Sequence, residues 1–135
     1  MEVYNSKYLH IAFFAEQRLI EATWLSATKT MNTDECKQEF LNYLSVVHIQ
    51  KPFRLIVDSS NMYFTLSAEM QTWVNQNILM PLSSLHGQKI AFVISNDFFA
   101  KLSGEQLMNE KGGLNFNSRY FDNKEAAKQW VLSAA

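Results

Sequence analysis

Pro52-Phe53-Arg54-Leu55-Ile56-Val57-Asp58-Ser59-Ser60-Asn61-Met62-Tyr63-Phe64-Thr65-Leu66-Ser67-Ala68-Glu69-Met70-Gln71-Thr72-Trp73-Val74 is the stretch that decides how this chain reads. Leu55-Ile56-Val57 is a short apolar run with no polar face, the pattern of a strand covered on both sides. It stops at Asp58-Ser59-Ser60-Asn61, residues that favour turns. Ser67 then stands as an N-cap, and Met70, Trp73, Val74 and Ile78 follow at helical spacing until Pro81, which is expected to end the helix. A strand, a turn and a capped helix in that order form the crossover unit of an α/β sheet.

Upstream, residues 8–14 and 18–25 have strand composition. Ala15-Glu16-Gln17 between them is short enough for a hairpin, so the two strands are predicted to be antiparallel neighbours. Residues 26–31 read as a loop. Asn32 or Thr33 caps the first helix, with Asp34 and Glu35 where the helix dipole favours negative charge. Cys36, Phe40, Tyr43, Leu44 and Val47 form its apolar stripe, and the approach to Pro52 closes it near His48.

Downstream, residues 83–87 read as a loop and residues 90–94, Ile-Ala-Phe-Val-Ile, as the strongest strand in the chain. Asn96 or Asp97 is placed to cap a short helix carrying Phe98, Phe99 and Leu102, and Ser103 with Gln106 has the spacing of a second capping box. After a Gly112-Gly113 loop, residues 115–121 form a last strand. Asp122 with Glu125 is expected to cap a final helix striped by Ala127, Trp130, Val131 and Ala134. The predicted order is β-β-α-β-α-β-α-β-α: a single α/β domain over residues 1–135, with a mostly parallel sheet after an N-terminal hairpin.

Composition narrows the function. Twelve basic side chains balance thirteen acidic ones, without a block of like charge, so the usual electrostatic footprint of nucleic-acid binding is missing. A net charge near zero leaves self-association open. Cys36 is alone, which rules out an internal disulfide and reads as a small core residue. The N-terminus turns polar at once, without the pattern of a secretory leader, and no apolar run approaches the roughly eighteen residues of a transmembrane segment. The expectation is a cytoplasmic protein with no cofactor.

The Arg-Leu-Ile-Val-Asp strand and turn, the Ile-Ala-Phe-Val-Ile strand followed by Asn-Asp-Phe-Phe, and Arg119-Tyr120-Phe121-Asp122 leading into Glu125-Ala126-Ala127 and Trp130 resemble the SpoIIAA-like group, which shares its fold with the STAS domains of anti-sigma factor antagonists. The resemblance runs over nearly the whole chain and rests on structural motifs. In the antagonists a strand ends in Asp, and an Asp-Ser-Ser-Gly further on opens a helix and holds a phosphorylatable serine. Asp58 matches the strand-end aspartate. Leu66, Ser67, Ala68 and Glu69 fall on the four later positions, so Ser67 alone keeps the pattern there.

The candidate residues each have a plainer account. Ser67 as a phospho-acceptor competes with Ser67 as an N-cap, which needs only its hydroxyl. Asp58, Ser59 and Ser60 sit at the carboxyl end of a central strand, where open α/β sheets hold ligands, yet they are also ordinary turn residues. His10, His48 and His86 have no metal spacing, and no nucleophile elbow, phosphate loop or dinucleotide fingerprint occurs. Catalysis therefore has no motif behind it. The aromatics exceed what one small core hides comfortably, and Tyr63, Phe64 and Trp73 are the rings placed to form an exposed interaction surface. Two readings follow. One is a non-catalytic regulatory or protein-interaction module of STAS-like type, whose partner is another protein or a second copy. The other is a carrier of a small apolar or lipid-like ligand.

Overall fold

A computed structural model describes residues 1–83, 89–95 and 117–133. Its strands are β1 (Glu2–Asn5), β2 (Leu9–Phe14), β3 (Leu19–Trp24), β4 (Arg54–Asp58), β5 (Lys89–Val93) and β6 (Asn117–Phe121). They form one six-stranded sheet in sequential order, antiparallel from β1 to β3 and parallel from β3 to β6. The α/β class, the hairpin and the parallel remainder follow the sequence reading. Strand β1 is absent from that reading: it extends the hairpin outward through a register shift between Glu2 and Tyr4.

Helices α1 (Thr33–Gln50), α2 (Ala68–Val74) and α3 (Met80–Ser83) carry residues of the larger core on one face of the sheet, and α4 (Lys124–Leu132) covers part of the other. The missing polar face of β4 has its explanation here. Leu55 is fully buried with Cys36, Tyr43, Val47, Met70 and Ile78, while the next residue, Ile56, is fully buried with Ala127 and Val131. Neighbouring side chains on a strand point to opposite faces, so each meets a different helix layer.

Three expectations need correction. Residues 26–31 contain a 3-10 helix, Ser26–Thr30, tied by the Thr28 hydroxyl to the Leu25 carbonyl at 2.8 Å. The cap of α4 is Asn123, whose side chain accepts from the Ala126 amide at 2.7 Å, and Asp122 lies one residue before it. Pro81 does not end the second helix. Between α2 and α3 the chain runs through a π-helical stretch, Asn75–Leu79, in which the Met80 amide reaches back to the Asn75 carbonyl.

That stretch has a packing reason. Met70, Ile78 and Leu82 are all buried. On an unbroken α-helix, at ~100° per residue, Leu82 would lie roughly 120° around from Met70. A π-helical stretch turns only about 80° per residue, which brings Leu82 back to within roughly 30° of Met70. The wider turn also relieves the demand for the amide that Pro81 lacks. The predicted loop at 83–87 begins as the last residue of α3, and its remainder lies outside the described residues, as do the predicted capping boxes, helix and glycine loop between 96 and 113. The final strand is present as β6, with residues 115 and 116 outside the described set.

At the other end of α1, Asn32 and Glu35 form a reciprocal capping box at 2.8 and 2.9 Å, and the helix runs two residues beyond His48. Helix α4 is fastened at both ends. Lys124 and Lys128 reach the Glu21 carboxylate in the middle of β3 at 3.0 and 3.6 Å. At its C-terminal end, Arg54 Nε donates to the Val131 carbonyl at 2.9 Å and Lys89 Nζ to the Trp130 carbonyl at 3.2 Å, which places positive charge where the helix dipole is negative. Among the described residues no helix is long and apolar enough to cross a membrane.

Candidate functional site at the carboxyl end of β4 and the start of α2

Asp58 closes β4 and immediately turns the chain. One carboxylate oxygen accepts both the Ser60 amide, at 3.0 Å, and the Ser60 hydroxyl, at 2.7 Å. The Ser59 amide donates to the Val93 carbonyl at 2.7 Å, and the Ser59 carbonyl accepts from the Met62 amide at 3.1 Å. Aspartate bonding its own backbone two residues on is standard turn chemistry. The half-buried Asp58, Ser59 and Ser60 are therefore brought together, with Asp58 and Ser60 occupied by each other.

Sheet order bears on the same point. Strands β3, β4 and β5 are sequential neighbours, and the crossovers through α1 and through α2–α3 lie on the same face. The ligand crevice of open α/β sheets forms where successive crossovers diverge to opposite faces. No such divergence flanks β4.

Residues 62–67 form neither helix nor turn, and their exposure alternates. Met62, Phe64 and Leu66 are half-buried and pack on the larger core, while Tyr63, Thr65 and Ser67 are exposed, Tyr63 at 55%. The Tyr63 amide is anchored to the hydroxyl of the fully buried Thr28 at 2.8 Å. Of the three rings expected at the surface, Tyr63 is there, Phe64 turns mostly inward and Trp73 is half-buried.

Ser67 caps α2, its hydroxyl accepting from the Met70 amide at 3.1 Å. It also lines an open groove of about 480 Å³ together with Glu69, Met70, Thr72, Trp73 and Gln76 from the α2 side and Thr33 and Lys37 from α1. Trp73 is half-buried, and the Lys37 ammonium lies 5.4 Å from its ring centroid, within range of a cation–π contact. Ser67 and Trp73 thus meet in one place. Asp58, Ser59, Ser60, Tyr63 and Phe64 are not among the residues lining that groove. Lys37 has no role in the sequence reading and Thr33 only that of a cap candidate, because nothing local tells which helix will flank Trp73.

A polar cluster lies away from this region, where β1 meets α1. The buried Glu39 carboxylate accepts from the Tyr4 hydroxyl at 2.5 Å, from the Ser6 hydroxyl, and from the Asn42 amide at 3.2 Å. Burial, and then the bond to Glu39, holds the Tyr4 hydroxyl above its ordinary pKa. Burial and, secondarily, the Glu39 charge push the Cys36 thiol up to about 12. Among the described residues the buried Tyr43 hydroxyl has no hydrogen-bond partner, and burial raises its pKa as well. His10 lies 3.8 Å from Glu2, and among the described residues no group of His, Cys, Asp and Glu is arranged to hold a metal ion. His86 lies outside the described residues.

Compared with known proteins, the chain matches no family model, no curated protein and no solved structure.

Proposed function

We propose that this chain is a non-catalytic interaction module that presents residues 58–67 and the exposed side of α2 to a protein partner. The observation that carries this reading is the division of labour at the end of β4. Asp58 and Ser60 bond each other and shape the turn, whereas Tyr63 stands exposed in the same segment that leads to Ser67, and Ser67 lines a groove with Trp73. An exposed aromatic and, on the helix that follows, a half-buried one in a groove lined by polar groups are a common composition for a protein-binding surface. The STAS-like kinship drawn from the sequence belongs to this proposal. A protein-binding role agrees with a chain that keeps Ser67 and replaces the other three positions of the antagonist motif.

In-cell crosslinking followed by mass spectrometry, comparing the natural chain with a Tyr63→Ala, Trp73→Ala variant of equal abundance, tests the reading. Crosslinks from residues 58–76 to a defined protein, lost in the variant, are expected. An identical crosslink pattern for both chains would sink it.

A further inference from the structure

Residues 62–66 carry an unused edge of main chain. The Tyr63 amide points toward Thr28, the exposure of residues 62–67 alternates as it does along an extended chain, and in such a chain neighbouring residues direct their main-chain groups to opposite sides. The groups of Phe64 therefore face away from the protein body. Among the described residues, the Met62 carbonyl, the Phe64 amide, the Phe64 carbonyl and the Leu66 amide have no hydrogen-bond partner, while the Met62 amide and the Leu66 carbonyl are engaged internally. A row of open donors and acceptors on an extended segment is the template that strand addition uses.

What fits this edge is its own sequence. We propose that residues 62–66 pair antiparallel with the same residues of a second copy, about a two-fold axis at Phe64, so that two molecules form an isologous dimer. The inference rests on the interaction reading above and assigns its partner. In this register the two Phe64 residues exchange both of their main-chain bonds. Each Leu66 amide then meets the Met62 carbonyl of the other copy, so the four open groups of one molecule match the four of its mate. Tyr63 falls opposite Thr65 of the second copy, twice, which is the aromatic against β-branched pair that stabilises neighbouring strands. Residues 61–67 carry no charge and the whole chain only −1, so a symmetric pairing sets no like charges face to face. Of the sheet's two edge strands, β1 and β6, β1 is short and interrupted by its register shift, features that discourage pairing.

Sedimentation velocity of the purified full chain over a wide concentration range tests for the dimer, and Leu66→Pro tests its bonds. The Leu66 amide bonds nothing among the described residues, and proline favours an extended residue before it, so the variant keeps its fold as read by circular dichroism. A concentration-dependent dimer, weakened at least about tenfold by Leu66→Pro, is expected. The register is read by mixing a Tyr63→Cys chain with a Thr65→Cys chain under mild oxidation. The mixed disulfide should form well ahead of either homodimer, because only positions 63 and 65 lie directly opposite. A monomer up to about millimolar concentration overturns the proposal, as does a dimer indifferent to Leu66→Pro or a statistical mixture of disulfides. A monomer whose 58–76 surface still crosslinks to a different protein in cells leaves the interaction reading standing and removes this assignment.

Discussion

Arg18 and Lys51 are the two non-glycine residues with positive φ among the described residues, at 48° and 50°, and they are bonded to each other: Arg18 Nη2 donates to the Lys51 carbonyl at 2.5 Å. One sits in the β2–β3 turn and the other caps α1, so two locally unfavourable conformations are held where the chain enters β4. The Arg18 carbonyl also accepts the Phe53 and Arg54 amides at 3.0 and 3.1 Å, which sets β4 beside β3 in register. Lys51 contributes its carbonyl, which any residue can supply. Replacing it with glycine removes the cost of a Cβ in the left-handed region and adds some freedom to the unfolded chain. Lys51→Gly is expected to raise stability by about 0.5–1 kcal/mol, whereas Lys51→Val lowers it, both read as shifts in the urea midpoint.

Arg54 ties three elements. It lies in β4, its Nε bonds the Val131 carbonyl in α4, and its Nη1 bonds the Gln17 carbonyl in the β2–β3 turn at 2.7 Å. Lysine offers a point charge and cannot span both acceptors. Arg54→Lys is expected to cost roughly 1–3 kcal/mol in chemical denaturation. Hydrogen exchange should rise first in the last turn of α4, near residues 130–133.

Ser67 separates capping from phosphate chemistry. Ser67→Ala removes the bond to the Met70 amide and should lower stability by about 1 kcal/mol. Ser67→Asp keeps an acceptor at the same place and should restore the natural stability, since aspartate caps as well as serine does. Equal denaturation midpoints for Ser67→Ala and the natural chain would show that the cap contributes nothing.

The core makes the protein sensitive to base. Cys36 is fully buried, and its thiol is pushed from an ordinary value of 9.0 up to about 12, while the Tyr43 hydroxyl is raised above its ordinary 10.0. Above about pH 9 the unfolded chain releases these protons and the folded chain retains them, so the unfolded state binds fewer protons and stability falls as pH rises. Cys36→Ala should flatten the decline in urea midpoint between about pH 8 and pH 10.5. Tyr43→Phe should flatten it too and, by deleting a hydroxyl buried without a partner, should leave the protein as stable or about 1 kcal/mol more stable at neutral pH.

The fold was legible where one local pattern sufficed. Leu55-Ile56-Val57 announced a strand buried on both faces, and Asn32 with Glu35 announced a helix start, because burial on both sides and capping each leave a short-range mark. Strand β1 left none: of its four residues only Val3 and Tyr4 are apolar, and they are adjacent rather than alternating. Pro81 misled because a stop signal and a π-helical stretch look alike until the burial of Ile78 and Leu82 on one side is known. At the candidate site, Ser67 and the Asp58 turn were readable from their own neighbours, and so was the exposure of Tyr63. The α1 wall of the groove depends on how two helices lie against the sheet, which no local signal in Thr33 or Lys37 carries.

Glu39 is the attachment of the edge strand. It is buried on α1, it accepts from Tyr4 in β1 and from Ser6 just after it, and no cation pairs with it among the described residues. A carboxylate serves there because every neighbouring group donates: the Ser6 hydroxyl already accepts the Tyr8 and Leu9 amides at 3.1 and 3.0 Å and has only its proton left to give. Glutamine of the same shape would present one amide donor to that set and leave a buried pair mismatched. Glu39→Gln is therefore expected to cost roughly 1–3 kcal/mol despite being nearly isosteric, and Tyr4→Phe less, since the half-buried Tyr4 gives up its bonds to Glu39 and Asn42 without leaving a donor facing a donor. Hydrogen exchange at residues 2–5 should accelerate in Glu39→Gln while β4 and β5 stay protected. Uniform acceleration across the sheet would instead make Glu39 part of the global core rather than a local fastening.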